Sequence, residues 1–275
     1  MIIRSPIDNW AFKHQIPVFY DALEAISKVN PGLGILAAYG KIIPEPVINF
    51  FPKGILNVHP SLLPKFRGAS PIQAAIVSGE KETGATIIKL DSQIDHGPVL
   101  SQFKEQILEA DTTGSLRKRL FERASEFLIR LIPNYLKGKI NLREQNDDQA
   151  TFTTLIKKED GLIPPQYIAA ALDGNIVKED WAIKFIKHYS LVPSTNSLER
   201  FIRAMDPWPG AWTLVNLNPK SEIRNPKRLK ILKAHLEELV PSAYRLVPDL
   251  VQLEGKNPVS WEEFKLGYPN FKFAG

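Results

Sequence analysis

Cysteine is absent from the 275-residue chain, which excludes disulfide bonds, thiolate catalysis and zinc sites with cysteine ligands. No apolar stretch is long enough to span a bilayer, and the first ten residues lack the apolar run of a signal peptide. We therefore expect a cytoplasmic protein without a membrane partner. Hydrophobic residues make up 44% of the chain and charged residues 24%, which is typical of a globular protein with room for two domains.

Acidic residues are too few to balance the basic ones, so the net charge is +5 and the pI is about 9.2. Much of the excess lies in one stretch, residues 220–233, where a single glutamate accompanies six basic side chains. Such a cluster suits a phosphate backbone, although an isolated basic run is also typical of a solvated hairpin loop. The six basic residues are Lys220, Arg224, Lys227, Arg228, Lys230 and Lys233.

Three polar side chains stand out between residues 57 and 98. Asn57 and His59 lie two apart at the end of a short apolar run that predicts a strand, so both side chains point to one face. Asp95 follows the next predicted strand, residues 85–90, in a loop closed by a Gly-Pro pair. Since neighbouring strand ends form the binding edge of an open α/β sheet, we expect Asp95 to lie against His59.

These three groups suit the attack of a substrate amine on a carbonyl carbon. Asn57 can donate to a developing oxyanion, His59 can donate or move a proton, and Asp95 can orient the imidazole. None of them is an obvious nucleophile. Taken singly, Asn57 and His59 also fit ordinary polarity at a strand end, and Asp95 fits a turn former.

The remaining pattern predicts an α/β doubly wound parallel sheet followed by a small β-barrel. The polar stretch 143–151 begins the connection between them. Apolar spacing and helix-stop residues predict helices at 17–30, 44–51, 69–78 and 113–137 and strands at 33–39, 55–59, 85–90 and 99–106. Short strands are predicted later at 212–217, 228–234 and 250–253.

Four ordered blocks resemble the folate-dependent formyltransferase family. They are Asn57-Val58-His59, then Ser61-Leu62-Leu63-Pro64 with Gly68, then Thr83-Gly84-Ala85-Thr86, and finally Asp95-His96-Gly97. Three further segments resemble the members that act on methionyl-tRNA: residues 67–72 (RGASPI), 203–211 (RAMDPWPGA) and 254–268 with its EGK, EEF and GY groups. The resemblance covers most of the chain except about residues 162–197.

The resemblance implies transfer of a formyl group from 10-formyltetrahydrofolate to methionyl-tRNA in translation initiation, with no metal and with action as a monomer. It implies a truncated Rossmann-like formyltransferase domain over residues 1–145, a linker with an insertion over 146–198, and an OB-like tRNA-binding domain over 199–275. Catalysis is assigned to Asn57, His59 and Asp95, and tRNA binding to the six basic residues of the 220–233 stretch. Folate binding is assigned to Ile43, Ser61, Leu62, Leu63, Pro64, Leu90 and Ile94.

Two departures from the family are the shortened beginning of the chain and an apparent insertion at residues 162–197, to which no function is assigned. The chain begins at a segment that in full-length members follows a complete first βαβ unit, so we expect an exposed apolar edge on the sheet. A fragment, a misassigned start and a degenerate copy all fit this beginning. Formylation of glycinamide ribonucleotide or a sugar nucleotide shares the catalytic blocks, and a non-catalytic tRNA-binding remnant fits the shortened domain. His96 replaces a usual threonine, and we expect a surface loop histidine there rather than a metal ligand.

Overall fold

The computed structural model describes residues 5–218 and 225–274 in two connected parts. The first part contains the helices α1 to α5 and the strands β1 to β5. In chain order they are α1 (Pro6–Lys13), α2 (Ala22–Val29), β1 (Gly34–Ala37), α3 (Glu45–Phe50), β2 (Ile55–His59), β3 (Arg67–Gly68), α4 (Pro71–Val77), β4 (Glu82–Lys89), β5 (Val99–Gln106) and α5 (Thr113–Leu136).

The second part begins after a connection that contains a short 3-10 turn, Asp147–Gln149. A second such turn, Lys158–Gly161, precedes the first helix of this part. The other elements, in chain order, are β6 (Phe152–Thr153), α6 (Pro165–Leu172), β7 (Trp181–Ala182), β8 (Ser190–Leu191), α7 (Thr195–Met205), β9 (Ala211–Asn216), β10 (Lys227–Val240), β11 (Ala243–Leu253), β12 (Val259–Ser260), α8 (Trp261–Gly267) and β13 (Lys272–Phe273).

The first sheet has the strand order β1-β2-β4-β5. The Rossmann-like class is confirmed, with β1 and β2 parallel as predicted. In contrast to an all-parallel sheet, β4 lies antiparallel to β2, and β5 lies antiparallel to β4. For β4 and β5 the reason is local, because only the short loop 90–98 joins them and a parallel pair needs a longer crossover connection.

The second sheet has the order β12-β11-β10-β9-β13, and all of its neighbouring strands are antiparallel. The β10–β11 hairpin contains register shifts near residues 231–234 and 238–240, which bend it as a small barrel requires. Both strands are longer than predicted. Their outer halves expose residues 237–241 and carry charged side chains, so they lack the apolar alternation that identifies a strand from sequence.

Helix α7 joins the two parts through one hydrophobic core. Leu198 and Phe201 of α7 belong to the same buried cluster as Ile76 of α4, Leu120 of α5 and Ile231 of β10. The Ser194 side chain caps the helix by accepting from the Ser197 amide. The predicted domain boundary between residues 198 and 199 therefore falls inside a helix that packs against α4 and α5 of the first part and against the second sheet.

Strand β1 forms an exposed apolar edge, as the sequence predicts. Its residue Ile35 is 45% exposed, and Ile42 beyond it is 86% exposed. An apolar groove of about 370 Å³ runs between β1, α2 and α3. Helix α2 starts later than predicted because the Asp21 side chain accepts from the Glu24 amide and sets the first turn. In the two described ranges, no helix is both long and apolar enough to cross a membrane.

Candidate functional site

Strand β2 places Asn57 and His59 side by side on one face, as the alternation predicts. The strand lies between β1 and β4, and all five of its residues are buried. Asn57 is 8% exposed and His59 is 4% exposed. A buried amide and a buried imidazole need partners inside the protein, and both find one in the loop that follows β4.

That partner is Asp95, whose carboxylate receives three contacts. Asn57 Nδ2 donates to Oδ1 across 3.1 Å, and the backbone amide of Gly68 donates to Oδ2 across 2.8 Å. His59 Nδ1 lies 3.5 Å from Oδ2. The structure therefore brings the three predicted catalytic residues together, and the Asp95 side chain remains 15% exposed at the edge of the cluster.

Two glycines permit this close approach. Gly68 has φ +103°, and a Cβ atom there would lie 2.1 Å from the Thr153 carbonyl oxygen. A Cβ atom at Gly97 would lie 1.9 Å from the carbonyl oxygen of Lys89. Any other residue at either position would push the chain away from the cluster. These clashes give a physical reason for the glycines in the RG and D-x-G motifs.

The two ring nitrogens of His59 have different roles. Nε2 lies 2.9 Å from the Phe66 carbonyl oxygen, which only accepts, so Nε2 carries a hydrogen. Nδ1 then remains as the position that can gain or lose a proton beside Asp95. Burial lowers the pKa of His59 below its ordinary value of 6.5, while Asp95 and the Phe66 carbonyl oppose that shift and Arg67 adds to it.

Arg67 and Gln145 both support this cluster. Arg67 lies in the RGASPI segment that resembles the family, whereas no local signal in the sequence marks Gln145. Arg67 is 3% exposed, and its guanidinium donates to Gln145 Oε1 and to Asp147. Gln145 lies in the polar stretch that the sequence identifies only as a connection. Their contacts join residues 78 and 80 positions apart, which no spacing pattern reveals.

The predicted folate residues differ in burial and in location in the structure. Ser61 and Leu63 are buried, and their loop is held by Thr86, whose hydroxyl donates to the Ser61 carbonyl and accepts from the Leu63 amide. Ile94 is 62% exposed in the loop after β4. Ile43 instead lines the apolar groove beside β1, and the lining of that groove includes none of the other predicted folate residues. The half-buried ones are Leu62, Pro64 and Leu90.

Four of the six predicted tRNA-binding residues lie on β10: Lys227, Arg228, Lys230 and Lys233. The Arg228 guanidinium carbon lies 4.1 Å from the ring centre of Trp212 on neighbouring β9. Lys233 is exposed, and the other three are half-buried. Lys220 and Arg224 fall outside the described residues.

His96 forms an ion pair at the surface of the Asp95 loop. Its Nδ1 lies 2.7 Å from Asp91 and its Nε2 lies 3.4 Å from Asp147. The hydrogen bond with Asp91 raises the pKa of His96. Across residues 5–218 and 225–274, no group of three or more acidic or histidine side chains is arranged to hold a metal ion.

Comparison with known families identifies the class of this protein. The formyl transferase model matches residues 12–132, and the model of the formyl transferase C-terminal domain matches residues 175–245. The chain belongs to the formyl transferase family. The second match begins at residue 175, so it includes residues 175–197 of the segment that the sequence marks as an insertion.

Among its relatives, methionyl-tRNA formyltransferase of Chloroflexus aggregans is 36% identical over 215 residues, which cover 76% of this chain and 61% of the relative. The enzyme of that name from Thermotoga neapolitana is 46% identical over 140 residues, covering 51% of this chain and 45% of the relative. The chain spans about three-fifths of the length of the first of these curated relatives.

Solved structures show the same fold. Methionyl-tRNA formyltransferase from Clostridium thermocellum matches with a TM-score of 0.54 and 20% identity over 90% of this chain and 91% of that one. HypX from Aquifex aeolicus, solved in complex with tetrahydrofolic acid, matches with a TM-score of 0.61 and 16% identity over 90% of this chain and 41% of that one.

Proposed function

We propose that this protein transfers a formyl group from 10-formyltetrahydrofolate to the α-amino group of methionyl-tRNA. The observation that carries the proposal is the Asn57–His59–Asp95 cluster, in which an amide and an imidazole contact one carboxylate at the end of a central strand. The relatives named methionyl-tRNA formyltransferase support the acceptor, and the neighbour solved with tetrahydrofolic acid supports the donor. Such an enzyme acts in the cytoplasm.

In the proposed reaction, the free amine attacks the formyl carbon and a tetrahedral oxyanion forms. Asn57 Nδ2 and protonated His59 Nδ1 donate to that oxygen, while the Asp95 carboxylate accepts the proton that the amine loses. The bond between the formyl carbon and the folate nitrogen N10 then breaks, and N10 takes up that proton. Asp95 favours the protonated form of His59, which burial disfavours.

We assign the donor to the loop around Leu62 and Pro64 and to Leu90 and Ile94, because these residues flank the cluster along the chain and keep exposed surface. The buried Ser61 and Leu63 shape that loop from inside. The acceptor end of the tRNA is assigned to the basic residues of β10 in the barrel, where arginine and lysine can contact phosphates. Residues 1–145 and 199–275 serve as the catalytic and tRNA-binding parts, joined through α7.

The experiment is a formyl-transfer assay with the purified chain and 10-formyltetrahydrofolate. Methionyl-tRNA, glycinamide ribonucleotide and an amino-sugar nucleotide are offered as separate acceptors. We expect formylated product with methionyl-tRNA only, and its loss in Asp95→Asn. Product with either small acceptor alone would overturn the proposed substrate, and tRNA binding without folate binding or product would identify a non-catalytic protein.

A further inference from the structure

Gln145 contacts the backbone on both sides of the Asp95 carboxylate. Its Nε2 donates to the Asp95 carbonyl across 2.9 Å and to the Gly97 carbonyl across 2.8 Å. Its Oε1 accepts from Arg67 Nε across 3.1 Å and from Arg67 Nη2 across 2.8 Å. A side-chain amide has two donor hydrogens and one acceptor oxygen, so all of its hydrogen-bonding capacity is used.

The loop that Gln145 holds has a backbone conformation that needs support. Asp95 has φ +46°, in the left-handed region that residues with a side chain adopt only at a cost. The loop is only half-buried, and its neighbours Ser92, Gln93 and Ile94 are exposed. Local packing therefore restrains this turn weakly, and the two hydrogen bonds from Gln145 restrain it directly.

Arg67 extends the same support to the other side of the carboxylate. It precedes Gly68, whose amide donates to Asp95 Oδ2. The buried Arg67 guanidinium is held between Gln145 and Asp147. Gln145 thus connects the segment that carries the carboxylate to the segment that carries its backbone donor.

We propose that Gln145 is a positioning residue that holds the Asp95 loop so that the carboxylate stays against Asn57, His59 and the Gly68 amide. The inference rests on the catalytic role proposed for Asp95. Gln145 itself is not assigned a contact with substrate. It acts through Asp95, because its donors reach the backbone of the loop and not the carboxylate.

A measurable consequence is a change in the titration of His59. The charged groups that affect His59 are Asp95, which raises its pKa, and Arg67, which lowers it. If the two hydrogen bonds from Gln145 to the loop are lost and the Asp95 carboxylate moves away, the pKa of His59 falls further and the Gly68 amide loses its acceptor. Both effects are properties of the folded enzyme without substrate.

The test uses the whole chain with Gln145→Met, which keeps the side-chain length and removes both donors. NMR follows the titration of His59 and the hydrogen exchange of the Gly68 amide. We expect a lower His59 pKa and faster exchange at Gly68, with both unchanged in Gln149→Met, an exposed glutamine of the same connection. A folded Gln145→Met variant with the wild-type His59 pKa and the wild-type Gly68 exchange rate would overturn the positioning role of Gln145.

A second variant, Gln145→Glu, keeps an acceptor for Arg67 but cannot donate to the two carbonyls. We expect faster Gly68 exchange and a kcat lower by about 10- to 100-fold, with KM for the acceptor little changed. If both Gln145 variants fail to fold while Gln149→Met folds, Gln145 is needed for folding alone, and the positioning role is overturned. A wild-type protein without formyl transfer would overturn the proposed function alone, because the NMR measurements need no substrate.

Discussion

The side-chain amide of Asn57 donates to Asp95 Oδ1 across 3.1 Å, although 38 residues separate the two along the chain. Asn57 lies on β2, and Asp95 lies in the loop that follows the adjacent strand β4. Because β4 is antiparallel to β2, its last residue, Lys89, pairs with Leu56 near the start of β2. The loop 90–98 folds back along β2 and brings the carboxylate to the amide and to the imidazole of His59. The charge of Asp95 is therefore the property to remove first.

Asp95→Asn is expected to lower formyl transfer by about 100-fold or more while leaving the fold intact, because the amide keeps the shape but cannot accept the proton of the amine. We expect this decrease in kcat, which steady-state assays measure. Thermal unfolding and circular dichroism serve as the control for folding. Turnover near the wild-type value would show that the carboxylate has no part in the chemical step.

Asn57→Ala and His59→Ala are expected to be non-additive. Both side chains contact the same carboxylate and serve one proposed oxyanion, so the loss of either already disables much of the unit. The double variant should be little slower than the poorer single variant in kcat/KM. Rate losses that multiply would mean that the two residues act independently.

Burial of His59 predicts a loss of stability at low pH. Its folded pKa is lowered below the ordinary 6.5, so between the two values the unfolded chain binds more protons than the folded protein. The contribution of His59 to the free energy of unfolding is complete above pH 6.5 and is lost as the pH falls through the folded pKa. Urea unfolding of the wild type and His59→Gln at about pH 7.5 and about pH 5.5 measures this effect.

The variant should show the smaller loss of unfolding free energy between the two pH values. His96 has the opposite sign, because its pKa is raised by Asp91; its contribution is present below pH 6.5 and is lost as the pH rises through the folded pKa. His96→Gln is therefore the matched control. An equal acid response in the wild type and His59→Gln would contradict the lowered pKa of the buried imidazole.

Sequence reasoning succeeds where one local pattern determines the structure. The predicted bounds of β2 and β5 agree with the observed ones. Local breaks set these bounds, because β2 lies between Gly54 and Pro60 and β5 follows the Gly97-Pro98 pair. The three catalytic candidates follow from the same logic, since alternation on β2 and the turn after β4 are local features. Their mutual distances also depend on how the loop 90–98 folds back along β2, which the spacing of the residues does not reveal.

Non-local contacts explain what the sequence cannot predict. Gln145 reaches residues 48 and 50 positions away, and its polar neighbourhood looks like any connection. The family resemblance assigns Ile43 to the folate site, and the structure places it just before α3, in the lining of the apolar groove beside β1. The outer half of β10 is stabilised by its partner β11 rather than by an apolar pattern of its own.

The apolar edge at β1 predicts a specific cause of self-association. Ile35 is 45% exposed on the edge strand, where a lysine would oppose edge-to-edge pairing. We expect Ile35→Lys to lower aggregation measured by light scattering at matched concentrations. Ile129→Lys on α5 is the control, because Ile129 is 70% exposed on a helix and its replacement removes the same side chain away from the edge. Equal improvement in both variants would assign the effect to added charge.

The basic residues of β10 are expected to contact tRNA phosphates. Replacing Lys227, Arg228 and Lys230 with alanine should weaken tRNA binding and flatten its dependence on salt, with the slope falling by roughly one for each phosphate that the variant no longer neutralises. Folate binding should not change, because the donor is assigned to the other part of the chain. Titrations of tRNA affinity against salt measure both quantities.

A matched control separates a docking surface from general positive charge. Replacing Lys118, Lys137 and Lys139 with alanine removes three exposed lysines on and just after α5 and lowers the net charge by the same amount. Arg228 also packs on Trp212, so thermal unfolding must first show that the barrel of the β10 variant is intact. If the folded β10 variant keeps its affinity and salt slope, or if both triple variants bind equally weakly, the β10 stretch is a solvated strand and tRNA binding must be sought elsewhere.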